Sequence, residues 1–371
     1  MHAPSLIPAE RSAAILAQKK MGQFALFAIL ISIITAASVM FTDPLQIYHR
    51  QDWYTPVFFK EERYQNAGLA RTQDYDIIII GSSMTENFRS SQVGAELGGK
   101  ALKLSISGST VDEQYKTAKL ALETGKVKKV LWGIDYFSLK TESGDNKDFP
   151  DYLYDNKLWN DYPYWFNYTF FKLWLRGLQR TLEGGPPTNL DLLNNWDHAV
   201  KFGREKALTA YERALKSEVG YGRNEEPLDI VRANFDRYIL SLVRAYPEVE
   251  FMFYYPPYSI LRQQVWYKLN PTRFQNQMQM RKLMFEAFDR YPNAAVYDFQ
   301  NERSWTYNLD LYSDLSHHKG LINDRISEAI GRRDAKYLLT AENIEQLNER
   351  LEMDARSVFL NKEGDVINNS L

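Results

Sequence analysis

Covalent catalysis needs a hydroxyl, thiol or amine together with a base close enough to take its proton. The chain contains no Cys, which removes thiolate nucleophiles, structural disulfides and Cys-ligated zinc or iron–sulfur centres. Hydroxyls remain, and one pair is placed suggestively. Gly81, Ser82 and Ser83 directly follow Ile77, Ile78, Ile79 and Ile80. Four consecutive isoleucines read as a strand buried on both faces. A Gly-Ser-Ser break before a segment able to become helical then delivers a small polar side chain to the carboxyl end of a core strand, where open α/β sheets keep reactive groups and free backbone N–H donors. Ser83 is therefore either a nucleophile or the N-cap of the next helix.

The base is easy to search for, because the chain has five His. His2 lies in a polar leader and His49 beside an apolar segment, while His198 follows Trp196 and Asp197 in a stretch with no visible link to strand ends. His317 and His318 close the run Leu311, Tyr312, Ser313, Asp314, Leu315, Ser316, which follows the last expected strand and leads into a helix starting near Lys319. Asp314 stands three residues before His317, so its carboxylate can reach the imidazole of its own loop and fix the tautomer. The same spacing also occurs in capping and surface pairs. Asp76, Asp314 and His317 are conceivable metal ligands but lack ordinary ligand spacing.

Taken together, Gly81-Ser82-Ser83 after the first strand, Gly108 after the second, Gly133 after the third, and Asp314-x-x-His317 after the last resemble the blocks of the SGNH hydrolase superfamily. More closely the chain resembles membrane-anchored branches that work on envelope polymers, such as alginate-acetylation and teichoic-acid D-alanyl transfer proteins. The matching stretches are roughly 75–135 and 249–330. The resemblance implies a flavodoxin-like three-layer α/β sandwich with a central parallel sheet. It implies Ser83 as nucleophile, His317 as general base and Asp314 as its orienter, with Ser82 a turn residue. It also implies an oxyanion hole from the backbone N–H groups of Ser83 and Gly108. The family's third block carries an Asn that donates to the oxyanion, whereas here Gly133-Ile134-Asp135 places a carboxylate there. An ionised Asp accepts only and would repel that charge. Asp135 then turns away, is protonated, or holds another group. The implied activity is an esterase or O-acyltransferase acting through an acyl-serine, with a cell-envelope glycan acceptor, a membrane-embedded acyl-transfer partner and no cofactor. Its counterpart is a binding or scaffold subunit that keeps the fold without the chemistry.

The surrounding pattern is one that could position such a site. Strands expected at Tyr75–Ile80, Ala101–Ile106 and Val127–Ile134 alternate with helices at Thr85–Leu97 and Thr110–Thr124, as in βαβ units with a parallel sheet. After the interruption at about 138–229, a helix at Leu228–Tyr246, a strand at Val249–Tyr255, a turn at Pro256-Pro257-Tyr258-Ser259, a helix at Pro271–Tyr291 and a strand at Ala294–Phe299 complete the domain, 75–332. The interruption reads as a mainly helical insertion, crowded with Tyr152, Tyr154, Trp159, Tyr162, Tyr164 and Trp165 among others. These rings are a cleft wall, a surface resting on membrane, or simple core packing. Residues 333–371 are expected as a helical tail, with Ile344, Leu347 and Leu351 spaced along Ala341–Val358.

Lys plus Arg (45) nearly balances Asp plus Glu (47), so no global field favours nucleic acid. Residues 1–20 form a leader ending in Lys19-Lys20, and Met21–Thr42 contains no charged residue. About 22 helical residues reach roughly 33 Å, enough to cross a bilayer core, and the run is longer than a signal-peptide core. Arg11, Lys19 and Lys20 precede it and Asp43 follows, so the positive-inside rule sets the N-terminus in the cytoplasm and the remainder outside, on the inner membrane of the envelope. Residues 43–74 mix breakers and aromatics and are expected as a membrane-proximal linker.

Overall fold

The computed structural model describes residues 8–140, 149–221, 227–361 and 364–368. His2 and parts of the expected insertion, 141–148 and 222–226, lie outside the described residues. Five strands, β1 (Ile77–Ile80), β2 (Ala101–Lys103), β3 (Lys129–Gly133), β4 (Glu250–Tyr255) and β5 (Ala294–Asp298), form one sheet. All pairings are parallel and the order is 2-1-3-4-5. This is the flavodoxin-like order, in which the chain leaves β1 and β3 toward opposite edges and a crevice opens at their carboxyl ends.

Period-two alternation splits the isoleucines of β1 between two cores. Ile78 and Ile80 face one layer together with Val130, Trp132, Phe251 and Phe253. Ile77 and Ile79 face the other together with Leu131, Met252 and Tyr254. The first layer is covered by α2 (Glu62–Thr72), α4 (Val111–Glu123), a helical run and α11 (Pro271–Phe288). That run comprises α8 (Leu228–Asn234), a π-helical segment at Phe235–Leu240 and α9 (Ser241–Ala245). The second layer is covered by α3 (Ser90–Leu97), α12 (Arg303–Thr306) and α13 (Gly320–Gly331). Each fully buried isoleucine contributes roughly 1.5–3 kcal/mol of apolar transfer, which fixes β1 and therefore the turn that follows it.

Three expectations need correction. Residues 43–74 are no linker: Asp43, Leu45, Gln46 and Ile47 are buried, and Glu62–Thr72 is a helix. Its Arg63 forks onto Glu113 of α4 (2.6 and 3.2 Å), and the same Glu113 carboxylate accepts from the Thr110 N–H (3.0 Å) in the capping box that starts α4. A side chain on Gly68 would meet the Leu45 carbonyl at 1.7 Å, so glycine is what lets the chain leaving the apolar helix lie against α2. Second, α10 (Ile260–Leu269) was not expected; it is buried on most sides and so lacks an amphipathic stripe. Third, among its described residues the tail is helical only in α14 (Ile344–Ser357), which packs on α10 and α11 and is followed by the antiparallel pair Val358–Leu360 and Val366–Asn368.

The helix α1 (Pro8–Thr42) runs unbroken through the expected leader into the apolar segment. It is the one helix among the described residues long and apolar enough to cross a membrane, with mean hydropathy 2.5. Its large apolar side chains, such as Phe24 and Leu26, are exposed, and its last turn is divided: Val39 and Thr42 are buried in the domain while Met40 and Phe41 are exposed. The short α5 (Tyr162–Trp165) and α6 (Tyr168–Leu182) of the insertion pack against that end. The aromatics of the insertion thus gather around the exit of α1, with Tyr164 and Phe170 buried and Trp159, Tyr162, Phe166 and Tyr168 exposed.

Candidate active site

Ser83 begins a 3₁₀ turn, Ser83–Thr85, at the carboxyl end of β1. The turn is locked by Thr85, whose buried hydroxyl donates to the Ser82 carbonyl (2.8 Å) and shares a hydrogen bond with the Ser105 hydroxyl (2.6 Å). The Thr85 methyl fills the space where side chains on Gly81 and Gly133 would stand, at 2.6 and 2.8 Å. That packing is the physical reason for glycine after both strands. From α13, the Asn323 amide holds the Met84 carbonyl (3.0 Å). The expected helix at Thr85–Leu97 accordingly starts later, at Ser90.

The second loop is a tight hairpin in which Ser313 N–H donates to the His317 carbonyl (2.9 Å). The turn after β4 clamps it: Ser259 donates to the Leu315 carbonyl from its N–H (3.1 Å) and its hydroxyl (2.8 Å), and the Tyr312 hydroxyl donates to the Pro257 carbonyl (2.7 Å). Asp314 Oδ1 accepts from the N–H groups of Ser316 and His317 (2.7 and 2.8 Å), while Oδ2 lies 2.7 Å from His317 Nδ1. His317 Nε2 is 2.9 Å from Ser83 Oγ. With the Nδ1 proton given to Asp314, Nε2 is free to accept from the serine. Burial opposes both charges, but each stabilises the other: the Asp314 carboxyl is carried down to about 2, and the His317 imidazole ends above its ordinary value. His318 is different: burial pushes it down to about 4, and it packs on Tyr312.

A second acid system stands next door. Asp135, buried after β3, accepts from the Ser82 hydroxyl on one oxygen and the Tyr258 hydroxyl on the other. Burial raises its carboxyl, against the lowering effect of those two hydroxyls. Ser82 also caps the turn, accepting from Met84 N–H (3.4 Å). Of the three possibilities open for Asp135, the geometry is that of a carboxyl holding other groups.

Ser83, His317, Gly108 and Asp135 line one cleft of about 380 Å³. Asp76 is not among them: it sits at the amino end of β1, accepting from Lys100 N–H (2.7 Å), so Asp76, Asp314 and His317 do not converge as a ligand set. Among the described residues, the aromatics of the insertion do not line the cleft, whose rings are Phe137, Tyr258 and Trp266. Another expectation fails at Trp196. The segment around His198 does reach the strand ends: Trp196 Nε1 donates to the Ser83 carbonyl (3.2 Å), and its ring meets His317 edge-on at 5.4 Å. Asn87 Oδ1 accepts from the N–H groups of Trp196 and Asp197 (both 3.1 Å), and Asp197 in turn accepts from Gly320 N–H (2.6 Å). His198 itself is exposed. Tyr258 and Trp196 were the residues missed; the position of Tyr258 in the turn after a core strand was the available signal.

No family model and no curated protein matches the chain. Among solved structures, a Streptococcus pneumonia protein described as a candidate platelet activating factor is similar, with a TM-score of 0.38 at 12% identity, over 75% of this chain and 93% of the other.

Proposed function

We propose that this chain is a membrane-anchored, extracytoplasmic serine esterase or O-acyltransferase that works on a cell-envelope glycan through an acyl-serine intermediate. One observation carries the proposal: the Ser83–His317–Asp314 relay, with contacts of 2.9 and 2.7 Å, opens on a cleft at the strand ends. Ser83 Oγ bonds to the carbonyl carbon as its proton passes to His317 Nε2. The tetrahedral oxyanion is held by the backbone N–H groups of Ser83 and Gly108. His317 then protonates the departing alcohol oxygen as the old C–O bond breaks. Water or a sugar hydroxyl repeats the sequence and restores Ser83. Asp135, with both oxygens engaged, is no oxyanion donor, and a missing donor typically costs about 10²–10³ in rate. A slow hole suits transfer from a donor presented by a membrane-embedded partner.

The likeness of the sequence blocks to SGNH enzymes supports this assignment. An anchor, rather than a removed signal, is supported by the burial of Val39 and Thr42 in the domain. The test is labelling of the full-length chain in detergent by a fluorophosphonate. Labelling that disappears in Ser83→Ala is expected; an unlabelled wild-type chain would instead favour a glycan-holding module without chemistry, to which Asp135 in place of an amide donor also points.

A further inference from the structure

The insertion helix α6 has more apolar surface than the domain covers. Its inner face is occupied: Phe170, Leu173 and Gly177 are buried. A side chain on Gly177 would meet the Tyr54 ring at 2.7 Å, and the Thr181 hydroxyl accepts from the Thr55 N–H (2.6 Å). The Tyr54 hydroxyl in turn donates to the Thr42 carbonyl at the end of α1 (2.8 Å). These contacts hold α6 directly beside the place where α1 enters the domain. A second stripe lies away from that face. Tyr168, Phe171, Leu175, Leu178 and Leu182 follow one another at intervals of three, four, three and four residues, which keeps them on one side of a helix. Tyr168, Leu175 and Leu182 are 68%, 43% and 81% exposed.

The border of this stripe is basic. Lys172, Arg176 and Arg180 recur every fourth residue, α6 contains no Asp or Glu, and the Lys172 ammonium lies 4.3 Å from the centroid of the Tyr168 ring. The exposed rings continue across the end of α1, where Phe41 and Trp53 stand 5.8 Å apart, and onto α5 at Tyr162 and Phe166. An apolar stripe edged by cations is the make-up of a helix that lies in the plane of a bilayer surface, and Trp and Tyr collect at that depth. A groove on another protein would also accept apolar side chains. The basic row on a helix without acids matches anionic headgroups, and continuity with the apolar surface of α1 places lipid next to the stripe.

Resting on the reading of α1 as an anchor, we infer that α6 lies on the bilayer, with Tyr168, Leu175 and Leu182 at the boundary between headgroups and acyl chains and with Lys172 and Arg176 on anionic headgroups. The domain then touches lipid at a second place, outside the span.

The chain has no Cys, so an introduced cysteine carrying an environment-sensitive nitrobenzoxadiazole dye reports a single position. The full-length protein is reconstituted in vesicles of phosphatidylcholine and phosphatidylglycerol, with and without brominated acyl chains. Leu175→Cys and Leu182→Cys sample the stripe, Phe27→Cys samples α1, and Leu321→Cys, 48% exposed on α13 over the other face of the sheet, is the aqueous control. Blue-shifted emission that brominated lipid quenches is expected at Leu175→Cys, Leu182→Cys and Phe27→Cys, and not at Leu321→Cys. Quenching at Leu175→Cys should weaken when phosphatidylglycerol is omitted, and likewise when Lys172→Gln and Arg176→Gln are added. Stripe positions as aqueous as Leu321→Cys, with Phe27→Cys still quenched, leave the anchor and overturn the inference. An unquenched Phe27→Cys removes the anchor as well. A blue shift at Leu175→Cys without quenching means that protein, such as a second copy of the chain, covers the stripe, and overturns the inference too. Equal quenching with and without phosphatidylglycerol overturns the part assigned to anionic headgroups.

Discussion

Ser82 and Ser83 are neighbours in sequence and each meets an acid system, yet the two systems are set in opposite directions. On the Ser83 side, Asp314 is partly exposed, takes two backbone N–H bonds and faces a base, so its carboxyl is held down near 2. On the Ser82 side, Asp135 is buried, takes two hydroxyls and faces no base at hydrogen-bond distance, so its carboxyl is raised. The contrast teaches that the company of a carboxyl, more than its nearness to a serine, decides whether it orients an imidazole or ties a wall together.

The sharpest way to break the contrast is to remove each serine. Ser83→Ala should lower ester turnover by a factor on the order of 10⁴–10⁶ and abolish fluorophosphonate labelling, while Ser82→Ala stays labelled; labelling lost in Ser82→Ala alone would reverse the assignment. Next come the acids. Asp314→Asn, which leaves the His317 tautomer unfixed, should cost about 10⁴ in kcat, against about tenfold or less for Asp135→Asn, measured side by side on one ester.

Protonation should follow the same divide. In the proposed reaction His317 is the base and must be neutral, and its value lies above the ordinary 6.5, so kcat/KM should rise with pH through a midpoint above 6.5, and in Asp314→Asn that midpoint should fall. For Asp135, raised above the ordinary 3.8, the sign concerns stability. The folded state holds the proton more tightly than the unfolded one, so the associated stability is greatest below 3.8 and is lost as pH rises to the folded value. The Tm of Asp135→Asn should lack that descending segment. The smallest effect is expected at Trp196→Phe, which keeps the ring against His317 but removes the donor to the Ser83 carbonyl: about 3–10-fold in kcat/KM, from one hydrogen bond of roughly 1 kcal/mol.

The legible half of this site was the half written locally. Asp314 and His317 share one hairpin, and Ser83 follows a strand whose four isoleucines advertise its burial. Asp135 was visible as an anomaly, but its meaning depended on Tyr258, 123 residues away. The helix α2 escaped notice because its buried residues, Gln65, Asn66, Ala67, Gly68, Leu69 and Ala70, are consecutive and partly polar, which leaves no apolar period. The parallel sheet was legible as alternation of strands and helices; the π-helical segment at Phe235–Leu240 was not legible, since one extra residue per turn is invisible in a short apolar pattern.

At the exit of α1, Asp43 accepts from the N–H groups of Ile47, Tyr48 and His49 (2.9, 2.7 and 2.9 Å) and from the Tyr164 hydroxyl (2.7 Å). The Tyr54 hydroxyl closes the last carbonyl of the helix, at Thr42 (2.8 Å). A chain riveted this way has no swivel. If α1 stands in a bilayer, the mouth of the cleft is carried at one height and one heading above the lipid, like a tool on a rigid arm. On the proposed function, donor and acceptor would then have to be brought to that station, and lengthening the joint with flexible residues is expected to uncouple acyl transfer from a membrane-embedded donor while sparing turnover of free esters.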